Sequence, residues 1–230
     1  RNFETKKQWP VVFAFDTKGK GKAALVRLKL AAEKYGYLLA ASNNIFDTIS
    51  LSENMLTTKR MMDRVNALFP IDRNRVYTAG YKNSGRFANL VPLFIKEVEG
   101  VISISSSLAN EELLSKKNPF HFIAVAARNA VNYTNLRNNE KLLHTLKFQN
   151  NQLIYDESED NSPSFFLEEA FWRFDLAAMA KRHLKKDSLA VERAFNKNIS
   201  RIKELQRTKK MLLAERSMLE VISSYRVLRN

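Results

Sequence analysis

The stretch RVYTAGYKNSGR, Arg75 to Arg86, decides the fold. Arg75 to Ala79 is a short β-branched and aromatic run, Gly80 to Gly85 reads as a turn, and a helical pattern continues to about Val98. Strand, tight turn and helix in that order are the half-unit of a parallel sheet with crossover helices. Working outward, Val11 to Phe15 (VVFAF) is a continuous apolar run, as expected for a strand covered on both faces. Ala23 to Lys34 carries Leu25, Leu28, Ala31 and Ala32 on one helical stripe, and Gly36 is placed to cap it. Further strands are predicted at Tyr37 to Ala41, Val101 to Ser105, Phe120 to Ala126 and Gln152 to Tyr155. Helices are predicted from Asn54 to Phe69, ended by Pro70 and Asp72, from Leu136 to Leu146, and from Ser164 to about Leu184. This alternation predicts an α/β domain over residues 1–186, with a mainly parallel sheet of about six strands flanked by helices.

Beyond Lys186 the pattern changes. Residues 187–230 contain no proline and no glycine, and they read as a basic helical extension. Asp187 or Ser188 can cap a helix bearing Val191, Phe195, Ile202 and Leu205. Leu212, Leu213, Leu219 and Ile222 continue the stripe, as one long helix or as a hairpin bending near Thr208. That stripe must be covered by the α/β domain, by a helical neighbour or by another chain.

Composition narrows the function classes. The 230 residues carry a net charge of +14, and the 50 residues from Lys181 contribute 14 basic against five acidic side chains. Charge-based partners are therefore sought first in the extension, where Arg193, Lys197, Arg201, Lys203, Arg207, Lys209 and Lys210 form a candidate surface for a polyanion or protein. With no cysteine, disulfides, thiolate zinc sites and cysteine nucleophiles are all excluded. No apolar run approaches the ~20 residues of a membrane span. The six glycines amount to less than half the usual share, and glycine is the residue that active-site loops favour. A start at Arg1 without methionine or signal peptide predicts a mature or trimmed product.

Several phrases taken together resemble the esterase and polyhydroxybutyrate-depolymerase-like branch of the α/β-hydrolases. They are the opening strand ending in Asp16, YGYLLAASNN, IDRNRVYTAGY, VEGVISISS and YDESEDNSPSFFLEEAFW, spread from Pro10 to about Ala180. The likeness is strongest to a group of exported Bacteroidetes proteins whose elbow reads GFSGGAR. It implies an exported protein of the cell envelope, and it makes Gly80, Tyr81, Lys82, Asn83, Ser84 and Gly85 the nucleophile elbow.

On that alignment Lys82 stands where the family has its nucleophilic Ser, and Asn83 and Ser84 where it commonly has Gly. Ala130 in AVNY takes the position of the acid. Aligning on Tyr155 and Pro163 puts Glu159 at the histidine position. All three triad roles are lost together in this reading.

Elementary chemistry points the same way. Acyl transfer by a hydroxyl needs a base within hydrogen-bond reach and a group to orient it. The only histidines are His121 in a predicted strand and His144 and His183 in predicted helices. Lys82 could be a nucleophile only if desolvated; an ion pair of Lys82 with Glu159 across the old pocket is the alternative expectation. DTKGKGK, Asp16 to Lys22, lacks Walker A spacing and reads as a basic surface loop. DESED, Asp156 to Asp160, lacks EF-hand spacing, so no metal is expected, and no cofactor motif is found. Phe165, Phe166, Phe171, Trp172 and Phe174 are expected in the core.

Three functions follow as expectations. The first is a catalytically inactive hydrolase-like binding or scaffolding module, with another protein docking on the C-terminal helices. The second is an enzyme with altered chemistry at Lys82 and Glu159. The third is binding of a polyanion or an anionic surface by the basic helices.

Overall fold

The computed structural model describes residues 7–156 and 164–228. Six strands form one sheet: β1 (Trp9–Phe15), β2 (Leu38–Ala40), β3 (Ile71–Tyr81), β4 (Gly100–Ile104), β5 (His121–Ala127) and β6 (Asn150–Tyr155). Every pairing is parallel and the spatial order is β2-β1-β3-β4-β5-β6. The order reverses between β1 and β3, so the crevice beyond their C-terminal ends is where an open α/β sheet binds ligands.

Alternation along the strands builds two cores. Val11, Phe13 and Phe15 join Met62 of α2 (Leu51–Leu68), Phe87 and Val91 of α3 (Asn83–Phe94), and Leu136 and Leu143 of α4 (Tyr133–Thr145). Val12 and Ala14 face the other way, toward Leu28 and Ala31 of α1 (Gly21–Tyr35) and Phe171 and Phe174 of α5 (Ser164–Ala180). The caps follow sequence rules. Gly36 takes a left-handed φ of 72° and returns its N–H to Ala32 O. Ser50 and Glu53 close a reciprocal capping box on α2.

Two local expectations are corrected. Asp72 belongs to β3 rather than to a break, because Ile71 pairs with Trp9 across a bulge before the regular register resumes at Val11 and Val76. The turn at Gly80 is also shorter than expected, since α3 already begins at Asn83 and ends at Phe94. Pro92 lies inside α3 and has no N–H for Ala88 O; the Thr78 hydroxyl donates to that carbonyl instead, at 3.0 Å.

The extension is a hairpin. α6 (Ser188–Arg207) and α7 (Met211–Tyr225) are joined across Thr208–Lys210, and Asp187 caps α6 by accepting from Ala190 N at 2.9 Å. The pair lies on α5 and along β6, so α5 is sandwiched between sheet and hairpin, which explains why it is buried along nearly its whole length, Glu169, Arg173 and Asp175 included.

A buried polar cluster sits at the opposite end of the sheet from the switch-point crevice. Arg75 Nη2 donates to Asp175 Oδ1 at 2.6 Å, and Tyr37 Oη donates to the same oxygen at 2.7 Å. Burial pushes the Asp175 carboxyl up, while Arg75 and Tyr37 act to hold it down. Asp175→Leu would leave the buried Arg75 charge and the Tyr37 hydroxyl unsatisfied, and is expected to cost about 3–5 kcal/mol. The check is a lowered urea midpoint at unchanged slope; a midpoint within error of wild type would refute it.

Candidate functional site

The crevice at the switch point is built from the loops after β1 and β3. Lys82 ends the β3 turn with φ 51° and ψ −121°, a conformation that disfavours any residue with a Cβ. Its N–H donates to Ile104 O at 2.9 Å, and its carbonyl accepts from Gly85 N at 2.9 Å and Arg86 N at 3.1 Å. The backbone at Lys82 is thus the sharp, strained strand-to-helix turn of a nucleophile elbow. Gly80 and Gly85 let strand and helix meet at the turn, and a Cβ on Gly85 would come within 2.7 Å of Ser106 Cβ.

Of the two described residues at the expected triad positions, Lys82 and Ala130, neither supplies a hydroxyl, an imidazole or a carboxylate. Lys82 is exposed, with its ammonium 5.3 Å from the Tyr81 ring centroid; Arg27 covers the same ring at 4.2 Å. An exposed ammonium lacks the apolar pocket that activates a nucleophilic lysine. Ala130 is buried behind β5 among Ile123, Val125 and Phe166, and brings no carboxylate. Glu159 lies outside the described residues, so the expected pair with Lys82 falls there too.

All three histidines lie at the far end of the sheet. His121 opens β5, whereas Lys82 follows the C-terminal end of β3, and parallel strands put these at opposite edges. His144 is near the C-terminus of α4 and His183 follows that of α5, and crossover helices run back toward the N-terminal edge of the strands. His121 Nε2 meets Asn151 Oδ1 at 2.8 Å, and burial lowers its pKa to about 4, so at neutral pH it is an uncharged structural group.

One arrangement was not foreseen. Ser84 entered the sequence reading only as a residue standing where the resembling family commonly has glycine. Its Oγ accepts from Thr17 N at 3.0 Å and lies 3.4 Å from Thr17 Oγ1, both residues being buried. In a working hydrolase an amide of this first loop joins the N–H after the nucleophile to hold the oxyanion. Here one amide of that loop is engaged by a hydroxyl at a position where the resembling family has glycine. Residues 17 and 84 are far apart in sequence, so only their shared place at the switch point connects them. The space left beside them is about 40 Å³, lined by Asp16, Ala24, Arg27, Gly80, Tyr81 and Ser84 among others. That is room for a few waters at the floor of a partly open crevice.

Elsewhere the expectations are placed as follows. Lys18 and Lys20 are exposed on the loop after β1, whereas Gly21 and the exposed Lys22 already belong to α1, so the expected basic loop is shorter than the sequence suggested. Asp156 pairs with Lys210 at 3.2 Å, and the remainder of DESED lies outside the described residues. Among the proposed cationic residues, Arg193, Lys203 and Lys209 are exposed, and Lys197 reaches the Phe165 ring at 4.8 Å. Arg207 is held by Glu204. Arg201 turns inward, onto the Phe166 ring at 4.7 Å and Ser217 Oγ at 3.0 Å, so the seven do not form one face. No described helix is long and apolar enough to cross a membrane, and no group of three or more described His, Asp or Glu residues is placed to hold a metal.

No protein-family model and no curated protein matches the sequence. Solved structures do resemble it. A carboxylesterase from Bacillus cereus is 13% identical with a TM-score of 0.57, over 75% of this chain and 89% of that one. A phospholipase/carboxylesterase from Dyadobacter fermentans is 12% identical with a TM-score of 0.55, over 74% and 91%. An acetyl ester-xyloside bifunctional hydrolase from Caldicellulosiruptor lactoaceticus is 14% identical with a TM-score of 0.55, over 68% and 75%. The sheet order, the elbow geometry and these likenesses together establish the fold: the chain is an α/β-hydrolase-like domain with a C-terminal helical part.

Proposed function

We propose that this chain is a catalytically inactive α/β-hydrolase-like domain that serves as a binding or scaffolding module. The observation that carries the reading is the position of Lys82 at the apex of an intact elbow, with every histidine of the chain at the other end of the sheet. Among the described residues the crevice holds hydroxyls at Thr17 and Ser84 and a carboxylate at Asp16 but no histidine to act as base, and Ser84 Oγ is engaged with Thr17. The engaged Thr17 amide supports the same reading. Relation to the exported Bacteroidetes group, and a place in the cell envelope, belong to this proposal through the sequence resemblance alone.

The purified chain is expected to hydrolyse short p-nitrophenyl esters no faster than buffer, and Lys82→Ser is expected to restore nothing because no base accompanies it. Lys82→Gly is expected to raise stability by about 1–3 kcal/mol by removing the positive-φ penalty. Ester turnover that disappears in Lys82→Ala would overturn the reading and favour altered chemistry at Lys82.

A second observation bears on the binding role. The outer face of α7 leaves Leu212 and Leu219 each 60% exposed and Ile222 54% exposed, with Arg128 and Arg137 beside the groove toward α4. Adjoining apolar and basic groups favour a protein partner over a bare polyanion. Salt-insensitive binding to heparin would remove the polyanion alternative.

A further inference from the structure

A second, partly open site lies where the hairpin meets the sheet. A cavity of about 20 Å³ is walled by Gln152 of β6, Glu169 and Arg173 of α5, Arg201 of α6, and Arg216 and Glu220 of α7. Gln152 and Arg173 are each 2% exposed. Among the described residues, five of the eleven buried side-chain polar atoms without a hydrogen-bond partner belong to three of these walls. They are Gln152 Nε2 and Oε1, Arg173 Nε and Nη1, and Arg216 Nε. Four of the five are donors and one is an acceptor.

Such clustering needs a cause, because buried polar groups are almost always satisfied, by protein or by a trapped guest. The other polar atoms here are occupied. Glu220 accepts from Asn151 Nδ2 at 2.6 Å and from Gln152 N at 2.7 Å. Glu169 accepts from Asn198 Nδ2 at 3.1 Å and lies 3.4 Å from Arg173 Nη2. Arg216 Nη2 reaches Glu140 at 3.0 Å, and Arg201 Nη1 donates to Ser217 Oγ.

The guest must therefore be small and rich in acceptor capacity. The space of about 20 Å³ compares with the roughly 10–15 Å³ that one water needs. A water has two lone pairs and so accepts about two hydrogen bonds, and it also needs acceptors for its own two protons. A monatomic anion can accept from all four donors and leaves only Gln152 Oε1 unserved, whereas one water serves about two of the donors and that one acceptor. Two guanidinium groups and an amide also supply the charge-assisted donors that a buried anion requires.

We propose that this cavity binds one chloride ion, held by Gln152, Arg173 and Arg216, which ties the C-terminal hairpin to strand β6 and helix α5. The site is independent of the crevice at Lys82 and of whether that crevice is active. Because the ion bridges three elements that separate on unfolding, it binds only the folded chain and stabilises it by mass action.

The test uses the intact chain. Crystals soaked in sodium bromide are expected to show an anomalous peak between Gln152, Arg173 and Arg216. In solution, replacing gluconate by chloride at constant ionic strength is expected to raise Tm by roughly 3–10 °C, saturating as a single site fills. Gln152→Leu, which keeps the volume and removes a donor, is expected to lose that chloride dependence while retaining its far-UV spectrum. An ordered water only, with no anomalous signal and no saturable halide effect on wild type, overturns the proposal. Should Gln152→Leu fail to fold, the bromide peak on wild type decides.

Discussion

Gly80→Ala is expected to leave the chain without a cooperative folding transition, a loss of more than about 4 kcal/mol. A Cβ at Gly80 would stand 2.7 Å from the Gly85 nitrogen and closer still to the carbonyl group of Ser84. Those atoms are backbone in the first turn of α3, so no rotamer change can relieve the overlap. Either the strand or the helix must move, and both carry the core. Ala79 and Val76 of β3 and Ala88 and Val91 of α3 are completely buried. A typical domain has 5–15 kcal/mol of total stability, so this one methyl is enough to unfold a chain at the lower end. Gly36→Ala is the internal control. Gly36 has a φ of 72°, but its added Cβ would meet only the Trp9 ring at 3.8 Å, so the cost there is conformational and about 1 kcal/mol. Urea midpoints measured side by side separate the two, and equal midpoints would show that strand and helix do not approach as closely as described.

Lys82 and Gly80 stand two residues apart and show how much of the site was legible. The strand–turn–helix could be read because RVYTA is apolar enough to be a buried parallel strand and glycine marks the turn. The residues of the elbow could be read as well, while setting Lys82 and Ala130 at triad positions rests on the resemblance. What sequence left open was the backbone. A lysine imposes no positive φ; the elbow keeps φ 51° because β3, β4 and α3 are packed around it. The start of β3 was missed because Asp72, Arg73 and Asn74 are polar, and pairing of Ile71 with Trp9 at the start of two interior strands overrides that composition.

Long-range pairings were the least legible. Nothing local says that Ser84 and Thr17 will meet, or that Arg201 will turn inward. For Arg201 a signal did exist: it adjoins Ile202 and lies three residues after Asn198, both buried, so the apolar face was wide enough to take it in. The aromatic run in α5 announced burial on all sides, yet what covered its outer face depended on a hairpin that the sequence allowed equally to dock on a partner.

Truncation after Lys186 is expected to destroy the fold of residues 1–186 rather than release an independent domain. The reason is the third apolar cluster. Trp172, Leu176 and Met179 of α5 are covered by Val191, Ile202, Ala214, Val221, Tyr225 and Leu228 of the hairpin. At about 1.5–3 kcal/mol for each fully buried large side chain, losing this set removes on the order of 10 kcal/mol, as much as most domains possess. Polar groups are stranded in the same cut. Trp172 Nε1 loses Tyr225 Oη at 2.7 Å, and Gln152 N on the outer strand loses Glu220. Without α7, β6 becomes an uncovered sheet edge beside an exposed aromatic helix, a combination that aggregates. The shortened chain is expected to be insoluble or to melt without a near-UV transition; a cooperative melt at the wild-type Tm would instead make the extension a separate appendage. The outcome also governs how binding by the basic residues can be tested. If residues 1–186 do not fold alone, binding lost on truncation says nothing about charge. Reversing Arg193 and Lys197 to glutamate in the full chain removes charge from an exposed face and leaves the cluster intact.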